Sequence, residues 1–388
     1  MPGSKTPKTI GFLTGTRADF GKLKPLMRAV EAEPDLRCVV YATGMHMLSR
    51  YGFTVNEIHK AGLSSIYSFM NQFHGEPMEL VLANTVSGLS RYFHEEQPDL
   101  LVVHGDRVET LAGAIVGSIR SMLVGHVEGG EVSGTIDELL RHSTTKLAHL
   151  HFVSNEQARR RLEQLGESPS SIHVVGSPNI DVMLSRDLPD VAEVKAHYGI
   201  DFDDFAIAAY HPVTTELDQQ SRNAVQFVDA LMESGISYVV IYPNNDEGSA
   251  SIFSEYERIA DHERFQLFPS LRFEYFLALL KHARFIAGNS SAGIHEAPVY
   301  GVPTVNVGTR QQGRSSGRSI IHCGEDKAAI ARALADAASR GVAERSLAFG
   351  DGNSARRFVK ALSDEGLWKT PRQKTFRDLA SGSRETEK

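Results

Sequence analysis

The sequence contains very little cysteine and no long hydrophobic run. Its 388 residues include two cysteines, Cys38 and Cys323, which are far apart in the chain. Two cysteines cannot form a disulfide framework, and this is typical of a protein from a reducing compartment. No apolar stretch reaches the roughly 18 residues of a membrane-spanning helix, and the first residues lack the apolar core of a signal peptide. We therefore expect a soluble, cytoplasmic protein.

Positively charged residues are fewer than negatively charged ones. The chain has 41 Lys and Arg residues against 48 Asp and Glu residues, a formal net charge of −7. Nucleic acids and anionic membranes both require a basic face, so neither is an expected partner. A phosphate-bearing ligand would have to be held by a few local cations and by helix N-termini. The chain length predicts two domains.

Short β-branched segments alternate with longer amphipathic segments along the chain. Segment 100–104 is apolar at nearly every position, which is typical of a strand covered on both faces. The alternation predicts an α/β fold with doubly wound parallel sheets. The predicted strands are 9–14, 36–42, 100–104, 122–127, 151–153, 172–174, 205–210, 238–242, 265–268, 285–287 and 304–307. The predicted helices are 21–33, 77–96, 108–121, 136–150, 155–165, 191–197, 222–233, 249–260, 273–282, 293–300, 327–338 and 355–367.

The alternation pauses over residues 176–204, which are rich in proline and aspartate. This pause predicts a boundary near 180–203 between two domains of similar organisation. We assign 1–180 to the first domain, 181–352 to the second and 353–380 to a C-terminal helical segment. Residues 381–388 are small and polar, and we expect them to form a frayed tail.

Ligands of open α/β sheets bind beyond the carboxyl ends of the strands, so polar residues at those ends are candidates for a site. The first strand is followed by GTRADFGK at 15–22. This segment is not a P-loop, because five residues separate Gly15 from Gly21 and Leu23 replaces the Ser or Thr. It also lacks the GxGxxG pattern of NAD-binding proteins. Arg17 and Lys22 could bind an anion at the start of the helix, or could belong to a solvated loop.

Carboxylates follow two further strands of the first domain. Asp106 comes after one strand, and Glu128 and Glu131 flank two glycines after the next. Glycine allows a ligand to approach closely, which favours a functional role for Glu128. Asp137 and Arg141 are spaced i,i+4 on the following helix, so a simple surface ion pair is the alternative interpretation.

A metal site is the competing interpretation of these acidic residues. The chain has 16 histidines, and His142, His149 and His151 lie close together in the sequence. However, it contains no HExxH pattern, no Cys/His pairing and no Asp-rich loop. We therefore expect no metal site, and structural roles for His149 and His151.

The second half also has polar residues at its strand ends. His211 follows one strand and is expected to face the interdomain cleft, and Asn244 follows the next. The segment NSSAG at 289–293 joins a strand to a helix, so its backbone N–H groups could bind a diphosphate or form only an ordinary helix cap. Glu296 could bind a ribose diol, and Arg310 supplies a cation.

Six motifs together resemble the UDP-N-acetylglucosamine 2-epimerases, and in particular the hydrolysing branch that makes N-acetylmannosamine for sialic acid synthesis. The resemblance runs from about residue 9 to about residue 367, nearly the whole chain. Non-hydrolysing relatives carry EAGLR where this chain has EGGE at 128–131. The motifs are GTRAD at 15–19, HGDR at 104–107, HVEGGEVSGT at 126–135, HPVTT at 211–215, GNSS at 288–291 and GTRQ at 308–311.

The resemblance implies a glycosyltransferase-B-like fold, with two Rossmann-like domains facing a cleft and the C-terminal helix crossing back onto the first domain. It implies UDP-N-acetylglucosamine and UDP as ligands, no NAD, and a homodimer or homotetramer. It implies a catalytic set comprising Asp106, Glu128, Asp137 and His211, with Glu131 and Arg141 beside them. It implies substrate or UDP contacts at Arg17, Asp19, Lys22, His46, Asn244, Leu271, Phe273, Ser290, Ser291, Gly293, Glu296 and Arg310.

The implied reaction is an anti elimination of UDP to 2-acetamidoglucal, followed by addition of water. Proton transfer on two faces of the sugar requires two proton carriers, and the sequence does not assign base and acid among the carboxylates. One alternative is a sibling enzyme acting on a 2,4-diacetamido-2,4,6-trideoxy hexose nucleotide for legionaminic acid. A glycosyltransferase of the same fold and a non-catalytic nucleotide-sugar sensor are the others. Residues that could distinguish the sugars are Met45, His46, Gln72, His74 and Met78.

Overall fold

The computed structural model describes residues 6–133, 135–314 and 317–378. Gly134 of the 126–135 motif and the tail predicted at 381–388 therefore lie outside the described residues. The strands of the described part are β1 Lys8–Thr14, β2 Leu36–Ala42, β3 Ile66–Ser68, β4 Leu100–His104, β5 Leu123–Val127, β6 Leu150–Val153, β7 Ile172–Val174, β8 Ala206–Ala209, β9 Tyr238–Ile241, β10 Phe265–Phe268, β11 Ile286–Gly288, β12 Thr304–Val307 and β13 Ile320–Cys323.

Helices connect these strands. The α-helices are α1 Arg17–Glu31, α2 Val55–Lys60, α3 Met78–Glu95, α4 Val108–Ile119, α5 Ile136–Leu147, α6 Glu156–Gln164, α7 Pro178–Met183, α8 Val191–Tyr198, α9 Leu217–Glu233, α10 Ser249–Glu257, α11 Phe273–His282, α12 Ala292–His295, α13 Ala297–Tyr300, α14 Lys327–Ser339 and α15 Ser354–Leu362. Short 3-10 helices lie at Gly44–Met47, Ser49–Tyr51, Pro169–Ser171 and Leu367–Lys369. Within the described ranges, none of the helices is long and apolar enough to cross a bilayer.

The strands form two parallel sheets. The first has the order β3-β2-β1-β4-β5-β6-β7, and the second has the order β10-β9-β8-β11-β12-β13. Both orders place the first strand of the unit inside the sheet, so that the chain winds outward in both directions. All five residues of β4 are buried, as expected for a strand with helices on both faces. The predicted α/β class with two Rossmann-like units is confirmed.

The observed strands and helices differ from the predicted ones mainly at the edge strands of the sheets and at the first residues of helices. β3 and β13 were not predicted, because both are short strands at the edge of a sheet and neither is fully buried. α1 begins at Arg17 rather than at 21, because the hydroxyl of Thr16 caps it by accepting a hydrogen bond from the Asp19 N–H, at 3.1 Å. The segment predicted as one helix at 293–300 is two short helices, and Pro298 lies in the first turn of the second.

The C-terminal helix α15 packs on the first sheet. The ring of Phe358 lies 4.7 Å from that of Phe152 and 6.2 Å from that of Phe12, centroid to centroid. The carboxylate of Asp181 accepts hydrogen bonds from the first two backbone N–H groups of α15, at 2.9 and 2.8 Å. The chain therefore returns to the first sheet after completing the second.

The two units touch closely on one side of the cleft. A Cβ built on Gly21 of α1 would lie only 2.3 Å from Cβ of Phe273 in α11. Only glycine allows these two helices to approach so closely. The contact brings the carboxyl ends of both sheets to face the same cleft.

Candidate active site

Two adjoining cavities lie between the carboxyl ends of the two sheets. The larger has a volume of about 290 Å³ and is lined by residues from both units. The smaller, of about 140 Å³, lies mainly in the first unit. Their shared lining marks the junction between them: Thr16, Ala18, Lys22, Asp106, Arg107 and Ser291.

The smaller cavity has a histidine between two carboxylates. His104, at the end of β4, lies 2.6 Å from Asp19 through Nδ1 and 3.0 Å from Glu128 through Nε2. Burial lowers the pKa of His104, but the charge of Glu128 and the hydrogen bonds to both carboxylates outweigh it and raise the pKa to about 10. His104 is therefore protonated at neutral pH and is the counter-ion of a buried carboxylate.

Glu128 is held in a constrained position at the end of β5. Its backbone has a φ of +62°, a conformation that residues other than glycine rarely adopt. Burial raises the pKa of its carboxyl group, but His104 and Lys22 lower it well below its usual value. Ser177 also donates a hydrogen bond to this carboxylate. The carboxylate of Glu128 is thus ionised, and its hydrogen bonds to His104 and Ser177 fix its orientation.

Arg141 links two strand ends. Its guanidinium donates one hydrogen bond to the backbone carbonyl of Glu128, at 2.6 Å, and another to the carboxylate of Asp106. Burial raises the pKa of Asp106, but Arg141 and two further arginines lower it below its usual value. Arg141 and Asp137 are not an ion pair with each other, so the surface-pair interpretation was wrong.

Asp137 instead forms an ion pair across the cleft. Its carboxylate lies 3.1 Å from Nη2 of Arg310, which follows β12 in the second unit. Burial is the main cause that raises the pKa of Asp137, the nearby Asp106 and Asp246 raise it further, and Arg310 opposes them. Burial therefore favours the protonated form of Asp137, whereas cations hold Asp106 and Glu128 in their ionised forms.

His211 lines the larger cavity from the second unit. Its backbone is fixed by Asn289, whose side chain bonds both the N–H and the carbonyl of His211, at 2.7 and 2.8 Å. Its Nδ1 accepts a hydrogen bond from the backbone N–H of Asn244, at 3.2 Å. Burial, Arg310 and Arg107 lower the pKa of His211 to about 3. The ring is therefore neutral and carries its proton on Nε2.

Four cations line the larger cavity, namely Arg17, Lys22, Arg107 and Arg310. Each of them has a carboxylate partner in the structure, a pairing that the sequence did not predict. Arg107 lies 3.4 Å from Asp246, and Arg310 pairs with Asp137. Arg17 is bonded to Glu57 at 2.6 Å, and Lys22 lies 2.9 Å from Glu296 across the cleft. The other predicted contact residues on this wall are Asn244, Leu271, Phe273, Ser290, Ser291 and Glu296.

Several predicted site residues do not line either cavity. His46 is fully buried, with its two ring nitrogens bonded to Thr14 and Thr54. Gly293 lies inside α12 against Thr304. Glu131 is held by Ser154, His295 and Arg314, and Asp137 reaches the cleft only through Arg310. Asp19, by contrast, lines the smaller cavity but not the larger one, and its carboxylate pairs with His104.

Sequence reasoning missed three residues that line the cavities. His104 and Arg107 belong to the HGDR motif but were not assigned a role, and Glu109 two residues later was not considered. All three lie at or just after the end of β4, next to Asp106. The rule that ligands bind at the carboxyl ends of strands would have identified them.

A family model described as UDP-N-acetylglucosamine 2-epimerase matches residues 28–363, most of the chain. The chain belongs to the UDP-N-acetylglucosamine 2-epimerase family. It is 48% identical over 375 residues to a UDP-N-acetylglucosamine 2-epimerase of Neisseria meningitidis serogroup B, covering 96% of this chain and 99% of the relative. It is 32% identical over 361 residues to a UDP-N,N'-diacetylbacillosamine 2-epimerase (hydrolyzing) of Legionella pneumophila, covering 92% and 95%.

A solved structure shows that the fold of the 2-epimerase family extends to this chain. The UDP-N-acetylglucosamine 2-epimerase of Methanocaldococcus jannaschii, in complex with UDP-N-acetylglucosamine and UDP, matches with a TM-score of 0.78. The match covers 92% of this chain and 99% of that chain at 21% sequence identity. The glycosyltransferase-B-like arrangement implied by the resemblance is thereby confirmed.

Proposed function

We propose that this epimerase is hydrolysing and converts UDP-N-acetylglucosamine and water to N-acetylmannosamine and UDP, for sialic acid synthesis. The observation that carries the proposal is the junction of the two cavities. There the carboxylate of Asp106 adjoins a wall of cations, so a proton acceptor and a site for the leaving diphosphate are neighbours. The 48% identity to a relative named as acting on this nucleotide sugar supports the choice of substrate.

The first step is an elimination. An ionised carboxylate, Asp106 or Glu128, takes the proton from C2, and the C1–O bond breaks with its electron pair passing to the diphosphate oxygen. The C2 proton is a weak acid, so the departing charge must be stabilised at the same time. Arg310 and the Ser290–Ser291 segment provide this stabilisation, which is commonly the largest contribution to catalysis. The product of the step is 2-acetamidoglucal.

His211 assists the departing phosphate. Because its Nδ1 accepts the backbone N–H of Asn244, the neutral ring presents its Nε2–H as a hydrogen-bond donor. Burial, together with Arg310 and Arg107, lowers its pKa, so the ring remains neutral at physiological pH. A neutral imidazole can orient the diphosphate through a hydrogen bond. Because it carries no positive charge, it does not bind the UDP product more tightly after the C1–O bond has broken.

The second step adds water across the double bond. Water adds at C1 and gives its proton to whichever of the ionised carboxylates of Asp106 and Glu128 did not act in the first step. A proton is delivered to the face of C2 opposite to the one from which the first proton left, giving the manno configuration. Asp137 is the proposed proton donor, because its pKa is raised by burial and by Asp106, and because movement of Arg310 away from it would open its carboxyl group to the larger cavity. When Arg310 turns toward the diphosphate, Asp137 loses its cation and binds a proton more readily.

The whole reaction is redox-neutral. It exchanges a proton and adds water, so we propose that it requires neither NAD nor a metal. We also propose, from the family resemblance, a cytoplasmic enzyme that forms a homodimer or homotetramer.

Incubation with UDP-N-acetylglucosamine in deuterium oxide tests the proposal. We expect free N-acetylmannosamine carrying deuterium at C2, together with an equal amount of UDP, when the products are followed by NMR. Release of UDP-N-acetylmannosamine would show a non-hydrolysing enzyme. Retention of hydrogen at C2 would refute the elimination.

One alternative substrate has specific support. The relative from Legionella pneumophila that is named as acting on a UDP-linked diacetamido sugar covers nearly as much of the chain, although at lower identity. The same carboxylates would serve such a substrate. Parallel incubations with both nucleotide sugars decide between them, and we expect the higher kcat/KM with UDP-N-acetylglucosamine.

A further inference from the structure

Glu109 is a buried carboxylate that the proposed mechanism does not use. It is the second residue of α4, its exposed fraction is 2%, and it lines the smaller cavity but not the larger one. It therefore lies in the part of the cleft that belongs to the first unit, with Arg107 of the junction beside it.

One oxygen of Glu109 is fixed by neighbouring residues. Its Oε1 accepts a hydrogen bond from Nε2 of Gln72, at 3.3 Å, and Oε1 of Gln72 in turn accepts one from Asn245, at 3.3 Å. A Cβ built on Gly44 would lie 2.7 Å from the same Oε1. The carboxylate is thus held between an amide and a closely packed turn.

The other oxygen is not satisfied. Within the part of the chain that the structure describes, Oε2 of Glu109 has no hydrogen-bond partner. The guanidinium of Arg107 approaches it only to 3.6 Å through Nε, and that Nε also lacks a hydrogen-bond partner. An unsatisfied acceptor in a buried site is costly, and a ligand that donates a hydrogen bond removes the cost.

We propose that Glu109, positioned by Gln72, accepts a hydrogen bond from a hydroxyl of the sugar remote from the anomeric carbon. The inference rests on the proposed function, in which the diphosphate lies against the cations and C1–C2 lies at the junction near Asp106. The part of the ring that enters the smaller cavity then carries the 3-, 4- and 6-hydroxyls. A hydroxyl is a hydrogen-bond donor, and a carboxylate oxygen is a strong acceptor for it. Glu109 is therefore a specificity residue for the sugar.

The test combines deoxy substrates with a deletion of the carboxylate. kcat/KM is measured for UDP-N-acetylglucosamine and its 3-, 4- and 6-deoxy analogues, with the unmodified enzyme, Glu109→Met and the control Glu79→Met. Glu79 is the matched control because it is the second residue of α3, as Glu109 is of α4, but is exposed. We expect one analogue to lose about 10- to 100-fold with the unmodified enzyme, the usual effect of losing a hydrogen bond to a charged group.

Glu109→Met should show the same loss of kcat/KM on UDP-N-acetylglucosamine, but not on the deoxy analogue that lacks the contacted hydroxyl. For Glu109→Met we expect a similar fall in kcat/KM on UDP-N-acetylglucosamine and little further fall on the sensitive analogue, since the contact is already absent. An equal fall on all four substrates would show that Glu109 acts only through Arg107, and would overturn the proposal. Equal values for the three analogues with the unmodified enzyme would also overturn it, and this result does not depend on the variant folding. If no UDP is released from the parent substrate, the proposed function itself fails.

Discussion

Replacement of His104 by glutamine tests whether a protonated imidazole maintains the charge of the carboxylates beside it. In the structure the ring lies between Asp19 at 2.6 Å and Glu128 at 3.0 Å, with its side chain 8% exposed. Glutamine can preserve a hydrogen bond but not the positive charge. The variant therefore leaves the buried carboxylate of Glu128 and the partly buried carboxylate of Asp19 without the counter-ion between them. Both the catalytic rate and the free energy of unfolding should fall.

The size and the pH dependence of the effect follow from the pKa of His104. This pKa is about 10 in the folded protein, against about 6.5 for a histidine in an unfolded chain. A raised pKa stabilises the folded state fully below the unfolded value, and the stabilisation is lost as the pH rises through the folded value. The difference corresponds to about 5 kcal/mol, comparable to the 3–5 kcal/mol that removal of one partner of a buried ion pair costs.

The single tryptophan makes the measurement specific to the first unit. Trp368 packs against the core of the first sheet, so its fluorescence follows unfolding of that unit. We expect the free energy of unfolding in urea to fall by several kcal/mol between about pH 6 and about pH 10 in the parent protein, and much less in His104→Gln. The control is His149→Gln, since burial lowers the pKa of His149 and its ring is neutral. If the pH dependence of His104→Gln matched that of the parent, the protonated imidazole would be refuted.

Two further substitutions test the nucleotide side of the cleft. Arg310→Gln removes a cation of the cavity wall. We expect calorimetry to show UDP binding about 10- to 100-fold weaker, because a charge-assisted hydrogen bond is lost. An unchanged affinity would mean that the diphosphate binds elsewhere. Glu296→Gln should weaken the binding of UDP more than the binding of 2'-deoxy-UDP. The reason is that Oε2 of Glu296 is buried without a hydrogen-bond partner among the described residues, so it is available to a ribose hydroxyl. Equal losses of affinity for the two nucleotides would contradict that contact.

The fold was largely predictable because the strands of the two sheets are apolar on both faces. Five predicted strands, among them 36–42 and 100–104, coincide with the strands of the structure. β3 was missed because it has three residues, none of them fully buried, and its stability comes from pairing with β2 rather than from its own sequence. α7 was missed because a six-residue helix starting at Pro178 has too few turns to show a periodic pattern.

The candidate site was predictable by position but not by pairing. The rule about strand ends located Asp106, Glu128 and Arg310. It could not show that Arg310 pairs with Asp137, because the two residues are 173 positions apart and meet only when the two sheets face each other. The i,i+4 spacing of Asp137 and Arg141 was misleading for the same reason, since partners from other elements satisfy both side chains.

The pairing across the cleft has a consequence for how binding and proton transfer are coupled. Arg310 is the cation of Asp137 in the structure, and in the proposed mechanism it is also a cation of the diphosphate. It cannot neutralise both fully, so arrival of the nucleotide raises the pKa of Asp137 from a value that burial has already raised. In the proposed mechanism, substrate binding therefore protonates the donor that the second step requires. The main cation of Asp106 is Arg141, which lies in the same unit and has no contact with the diphosphate in the proposed mechanism. Asp106 would therefore keep this counter-ion when the nucleotide binds. The two carboxylates, although neighbours, are thus kept in opposite protonation states, as removal and return of a proton on opposite faces of the sugar require.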